Sequence, residues 1–418
     1  MMDAKQIIDI NTTIKTILTG YKSEVKNELE EILNFWIQNT KDNVYGGFAG
    51  RIDECNVVHP EAAKGSVLNS RILWAFSAAY NTTHNPDHLL MANISFRYIA
   101  DHFVDKIYGG VYWTVDAKGN PLDTKKQIYA LAFAIYGCSA YYEASKNEEA
   151  KTLAIDLFKT IEKYSFDSDQ TGYLEAFKED WKPIEDLRLS DKDANEKKTM
   201  NTHLHVLEAY TILFKIWPEE HLKKQIYSLI DNFTSHIIDS VTGHLILFFD
   251  EKWNSRSGII SYGHDIEAAW LLLEAAEVLN DISLINEIKE WAIKISLAAA
   301  KGLDNDGGMW YEKDLASQHF IKEKHNWVQA EAMVGFFNCW QITGDELFLQ
   351  KSLSSWNYVK DKIKDKLYGE WYWGRNENGT IMEGQDKVGL WKCPYHNTRA
   401  CLEVINRIKS FQLQDKWC

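Results

Sequence analysis

The sequence has no excess of basic residues. Its 418 residues carry 46 Lys and Arg against 60 Asp and Glu, a formal net charge of −14. An acidic surface disfavours nucleic acid and anionic membranes, since both need basic patches. Metal-type cysteine spacing is also missing. Cys55, Cys138, Cys339, Cys393, Cys401 and Cys418 form no CxxC pair, so they read as small apolar residues with free thiols. No apolar run is long enough to span a bilayer. The opening stretch MMDAKQIIDINTTIKTILTG has no apolar core of the secretory kind. These absences point to a cytoplasmic protein without nucleic-acid or membrane partners, expected as a monomer.

What the chain does have is aromatic residues: 16 Trp, 20 Tyr and 18 Phe. Sugar-binding clefts use them because flat apolar sugar faces stack on rings. Many fall in a recurring phrase: YGGFAGRID, YGGVYWTVD, TGYLEAFKEDW, TGHLILFFDEKW, GGMWYEKD and YGEWYWGRNENG. Differences between Gly46, Gly109, Gly172, Gly243, Gly307 and Gly369 are 63, 63, 71, 64 and 62 residues. A fixed period of this kind marks an internal repeat.

Each phrase alternates aromatic and polar residues and reads as a short hairpin. A mostly apolar helix follows, over 64–80, 126–145, 200–217, 263–279, 325–343 and 394–408. A more polar, amphipathic helix precedes each phrase, over 22–40, 87–105, 148–164, 219–237, 281–300 and 345–363. Helices apolar all round belong inside, and those with one apolar stripe belong on the rim. Short connections make neighbours antiparallel. The expected fold is therefore all-α: an (α/α)6 barrel of six inner and six outer helices, with short hairpins at the pocket end.

The inner helices run parallel, so their first turns gather at one end. Those turns carry Lys64, Asn69 and Arg71; Gln127 and Tyr129; Asn201, His205 and Glu208; His264, Asp265 and Glu267; His325, Asn326, Trp327 and Glu331; and Tyr395, His396, Asn397 and Arg399. Such a ring would line a pocket. Asn201, His205 and Glu208 share a helix face, whereas His203 points elsewhere. HLH is therefore not a helical metal chelate, which wants a spacing of four. His264 and Glu267 are neighbours at i, i+3, where a carboxylate would fix the imidazole tautomer. Arg71 needs a partner if buried: a structural salt bridge or a substrate oxygen. Trp327 and Trp391 fit core packing and sugar stacking equally well.

The phrases YGGFAGRID, LNSRILWAFSAAY, MNTHLHVLEAY, SYGHDIEAAWLL, HNWVQAEAMVGFFN and LWKCPYHNTRACLEV resemble those of cellobiose 2-epimerases, within the N-acylglucosamine 2-epimerase superfamily of (α/α)6 barrels. The likeness runs from about residue 22 to 410. It leaves 1–21 as an N-terminal extension and 22–418 as one catalytic domain. It implies reversible epimerisation at C2 of the reducing-end glucose or mannose of a β-1,4-linked disaccharide, with no metal or nucleotide cofactor. It further implies that His264 and His396 form the acid/base pair and that His205 helps open the ring. Glu267 would orient His264, and Arg71 would bind oxygens near C1 and C2. Tyr129, Asn201, Trp327 and Trp391 would hold the sugar, with Ser190 and Asp193 as weaker contacts. Aromatic phrases at the pocket mouth favour cellobiose, lactose or mannobiose over free sugars. The rivals are a monosaccharide 2-epimerase or aldose–ketose isomerase, a glycoside hydrolase using Glu267 and Asp193, and a non-catalytic toroid.

Overall fold

The structure is a computed structural model that describes the backbone of residues 4–414 and the side chains of residues 13–412. The thiol expected at Cys418 lies outside the described residues. Within them, amphipathic helices alternate with apolar ones. The outer set is α1 (Ala4–Asn39), α3 (Pro86–Tyr98), α5 (Glu148–Tyr164), α7 (Glu220–Asn232), α9 (Ile282–Ala299) and α11 (Glu346–Tyr358). The inner set is α2 (Ser66–Thr83), α4 (Ile128–Ser145), α6 (Met200–Ile216), α8 (Tyr262–Leu279), α10 (Asn326–Thr343) and α12 (Tyr395–Gln414). Each inner helix packs on the next, and α12 returns to pack on α2, which closes the ring. The chain is an (α/α)6 barrel, and its core is the shared wall of the two rings.

Local chemistry explains the tight inner-to-outer turns. His84, Lys146, Asn280 and Gly344 end α2, α4, α8 and α10 in the left-handed conformation. The next residue is in each case an Asn or Asp. Asn85, Asn147, Asp281 and Asp345 accept hydrogen bonds from the first backbone N–H groups of the outer helices. One residue thus stops a helix and the following one starts its antiparallel partner.

At the other end, two- and three-residue strands lead into the inner helices. Lys64–Gly65 pairs with Thr114–Val115, and Lys126–Gln127 with Ala176–Phe177. Lys198–Thr199 pairs with Phe248–Phe249, Ile259–Ser261 with Glu312–Asp314, and Lys324–His325 with Gly374–Arg375. Each strand therefore binds the hairpin of the next repeat and staples neighbours together. The sequence reading starts several inner helices one or two residues early because it counts these strands as helix. It also starts α1 too late: the helix begins at Ala4 and runs unbroken past residue 21, burying Leu18 and Tyr21.

Four of these lead-in strands and the segment before α12 share a further device. Lys64, Lys126, Lys198, Lys324 and Lys387 are buried and pair with Asp42, Asp105, Asp167, Asp304 and Asp365. Each Asp also accepts backbone N–H groups of its own turn. Lys64 therefore points to the outer wall, not into the pocket ring where the sequence reading puts it. Of the cysteines, Cys138, Cys339, Cys393 and Cys401 are buried with free thiols, and Cys55 is exposed. No described helix is long and apolar enough to cross a membrane.

Candidate active site

The first turns of the inner helices surround one cleft of about 400 Å³. It is bordered by Arg71 of α2, Tyr129 of α4, Asn201 and His205 of α6, His264 and Glu267 of α8, Trp327 of α10 and His396 of α12. Ser190 and Asp193 reach it from the loop before α6, and Trp391 from the segment before α12. The eleven residues named from the sequence thus border a single space.

Not every polar residue of the expected ring faces inward. Asp265 turns outward, accepts the Leu245 N–H at 2.8 Å and lies 2.6 Å from His244 Nδ1. Gln127 donates to the carbonyls of Leu187 and Arg188 and so anchors the loop that carries Ser190 and Asp193. His203 is fully buried and accepts the Tyr173 N–H at 2.8 Å, so it ties a hairpin to α6 and faces away from the cleft.

Four histidines border the cleft: His325, which lies 2.9 Å from Glu323, and three others whose supports differ. His205 Nδ1 lies 2.8 Å from Glu208. His396 Nδ1 lies 2.7 Å from Glu331. His264 Nδ1 lies 2.8 Å from the hydroxyl of Ser261. This corrects the expected contact between Glu267 and His264. Glu267 bonds instead to Arg399 and acts on His264 only through its charge. Burial pushes His264 down to about 4, against the pull of that charge. Burial likewise drives His396 well below the ordinary imidazole range, again opposed by Glu267. Both are neutral bases at neutral pH.

Trp327 separates the two. Its ring centroid is 4.8 Å from that of His264 and 5.6 Å from that of His396. A Cβ on Gly263 would come within 2.5 Å of the Trp327 ring, so the glycine of GHDIE is what lets the indole lie there.

Under the histidines lies a buried ionic cluster. The Arg399 guanidinium bonds to Glu208, Glu267 and Glu331, and the Tyr395 hydroxyl donates to Glu208 at 2.6 Å. Burial alone would raise Glu208, but Arg399 and His205 overcome it and hold the carboxyl at about 2. Ligand atoms of Glu267, Glu331 and His396 lie within 4.8 Å of one another, a spacing that suits a metal ion. The Arg399 guanidinium bonds both carboxylates there and supplies the positive charge. The sequence reading put Glu208, Glu331, Tyr395 and Arg399 in the ring without roles. The signal was available: an Arg three residues after His396 on a buried helix demands carboxylates nearby.

Arg71 is the opposite case. It is 3 % exposed, and among the described residues it forms no ion pair. It donates to the Tyr129 hydroxyl at 2.7 Å, and its guanidinium lies over the rings of Phe133 and Tyr395 at 4.1 and 4.7 Å. Its Nε has no partner. Of the two roles open to this residue from sequence, the salt bridge is therefore absent, and a buried cation borders the cleft without a counter-charge.

The sequence profile of N-acylglucosamine 2-epimerase matches residues 46–400. The cellobiose 2-epimerase of Bacteroides fragilis is 49% identical over 385 residues, 92% of this chain and 98% of that one. That of Dictyoglomus turgidum is 41% identical over 391 residues, 93% of this chain and 98% of the relative. The chain belongs to the N-acylglucosamine 2-epimerase family. It is an epimerase. A solved structure of the cellobiose 2-epimerase from Spirochaeta thermophila superposes on this epimerase with a TM-score of 0.90 at 37% identity, covering 96% of this chain and 100% of that one. The epimerase thus shares both its fold and its sequence phrases with this group over nearly its whole length.

Proposed function

We propose that this epimerase inverts C2 of the reducing-end glucose or mannose unit in β-1,4-linked disaccharides such as cellobiose, lactose or mannobiose. It does so by proton transfer between histidines, without metal or nucleotide. The observation that carries this reading is Arg71. A buried guanidinium with no carboxylate, flanked by neutral imidazoles, suits an anion that exists only during the reaction.

The chemistry sets the order of events. A C2 proton is not acidic in a closed hemiacetal, so the ring opens first. His205, backed by Glu208, exchanges the proton between the C1 hydroxyl and the ring oxygen. The C1 aldehyde then makes the C2 proton removable. His264 takes it through Nε2, and the electron pair moves onto the carbonyl oxygen to form an enediolate. Arg71 and the Tyr129 hydroxyl hold that charge. His396 takes up a solvent proton as charge builds on the enediolate and delivers it to the opposite face of C2, Glu331 steadying the transient imidazolium, while the proton on His264 is released to solvent. In the reverse reaction the two histidines exchange roles. Trp327 and Trp391 hold the reacting sugar, helped by Asn201. Ser190 and Asp193 reach toward the second unit from their loop.

The hydrolase alternative is less well supported. It needs two free carboxyl groups across the scissile bond, and Glu267 is held by Arg399. A time course with cellobiose in heavy water, followed by NMR, tests the reading. The expected product is the mannose epimer carrying a solvent deuteron at C2. Glucose as product would indicate hydrolysis, and a ketose would indicate isomerisation. Comparison of kcat/KM for cellobiose, mannobiose, glucose and mannose tests the disaccharide preference. Turnover of mannose at least as efficient as that of the disaccharides would overturn it.

A further inference from the structure

Ser261 sits at the N-cap of α8, with extended backbone angles of φ −114° and ψ 104°. Serine there ordinarily accepts a hydrogen bond from an N–H of the first turn. At the same place on α6, Thr199 does so, accepting the Thr202 N–H. Ser261 makes no such cap bond. Its hydroxyl is directed at His264 Nδ1, 2.8 Å away, and the residue is fully buried. The helix start thus forgoes its cap in favour of one imidazole nitrogen.

We propose that Ser261 is a positioning residue for His264: its hydroxyl accepts the Nδ1–H and keeps the Nε2 lone pair toward the cleft. The inference rests on the two-histidine reading above. The choice of partner matters. Glu208 and Glu331 are carboxylates and stabilise an imidazolium on His205 and His396. A hydroxyl is neutral and fixes direction without adding charge. His264 therefore rests as a neutral base, and a proton it takes is readily given up. The other charged or titratable groups around it include Glu267 on its own helix, His205 on α6, His396 on α12, and Lys192, Asp193, Tyr311 and Glu312 from the loops bordering the cleft. Only the Ser261 contact fixes which ring nitrogen carries the proton. The alternative, with the Ser261 hydroxyl donating to Nδ1, puts the proton on Nε2 and leaves no base.

Two measurements test this. Long-range ¹⁵N–¹H NMR of the ligand-free protein, with His264→Asn to assign the signal, reads the tautomer whether or not the sugar reaction is as described. The expectation is Nδ1–H in the native chain and a mixture in Ser261→Ala. An Nε2–H signal, or the same tautomer in both, overturns the proposal. The second measurement is cellobiose epimerisation across pH for the native chain, Ser261→Ala and Ser261→Thr. In Ser261→Ala, kcat should fall roughly ten- to a hundredfold with KM within about twofold. The C2 deuterium isotope effect should rise, and the acidic limb should move. Ser261→Thr, which keeps the hydroxyl, should recover most of the rate. Unchanged kcat in Ser261→Ala, or loss only through KM and thermal stability, means that the hydroxyl is merely structural. Absence of C2 exchange in the native chain would count against the proposed reaction and leave the tautomer result standing.

Discussion

Two buried arginines lie against the Tyr395 ring in opposite circumstances. Arg399 is bonded to three carboxylates and a tyrosine hydroxyl. Arg71 touches a tyrosine hydroxyl and aromatic rings, and forms no ion pair among the described residues. Burying a charge is costly unless it is paired. Arg399 meets that requirement within the protein. Arg71 leaves it unmet, and on the proposed reading its partner is the oxygen anion formed on the sugar. On that reading the first arginine builds the site, and the second is kept free for the reaction.

The comparison can be broken most severely at Arg399. Arg399→Met should destabilise the fold by about 3–5 kcal/mol, because it leaves buried carboxylates without their cation. Urea unfolding measures this. Arg71→Met should behave in the opposite way. It should lower kcat/KM by about two to three orders of magnitude while shifting the unfolding midpoint little. If Arg71→Met unfolds like Arg399→Met, the contrast fails.

The histidines sharpen the same distinction. His205→Ala, His264→Ala and His396→Ala should each lose about two or more orders of magnitude in turnover. His203→Ala should keep its turnover per folded molecule but lose about 1–3 kcal/mol of stability, since it leaves the Tyr173 N–H buried and unpaired.

Stability should also have a summit in pH. Burial holds His203 and His264 at about 4, so the unfolded chain takes up their protons first, near 6.5. Their contribution is complete above about 6.5 and is lost as pH falls toward 4. Glu208, held at about 2, adds a loss between about 4.5 and 2. Glu175 is pushed up to about 8 by burial, against bonds from Thr199 and Thr202, and Glu312 to about 7 by burial. Their contribution is complete below about 4.5 and is lost as pH rises through those values. Unfolding midpoints across pH should therefore peak between about 4.5 and 6.5. The smallest effect expected is from chelation. Dialysis against a strong chelator should leave activity intact, since Arg399 supplies the positive charge among the buried carboxylates. Activity lost and then restored by a divalent ion would refute this.

The repeat made most of the fold legible in the sequence. Glycines at a near-constant period, each followed by an apolar helix, require two rings. Position near the start of the inner helices gathered eight of the eleven cleft residues, and the family resemblance added Ser190, Asp193 and Trp391. Side-chain direction was not legible. Glu267 is three residues from His264, and proximity along the helix suggested a pair. Arg399, 132 residues away, wins the carboxylate because a full charge outbids a neutral imidazole. Lys64 looked like a pocket residue until Asp42 drew it outward. The lead-in strands were too short to carry a periodicity, so they read as helix.

Closure of the ring ties the order of synthesis to function. The last helix, α12, supplies His396, Tyr395 and Arg399, and it also fills the gap between α10 and α2. A growing chain that has emerged as far as α11 has a missing wall and three carboxylates without the cation of Arg399. It has neither a sealed core nor His396 at the cleft. The contact between α12 and α2 joins residues more than three hundred positions apart, the kind of pairing that forms late in folding. Closure of the barrel and completion of the cleft are therefore the same event.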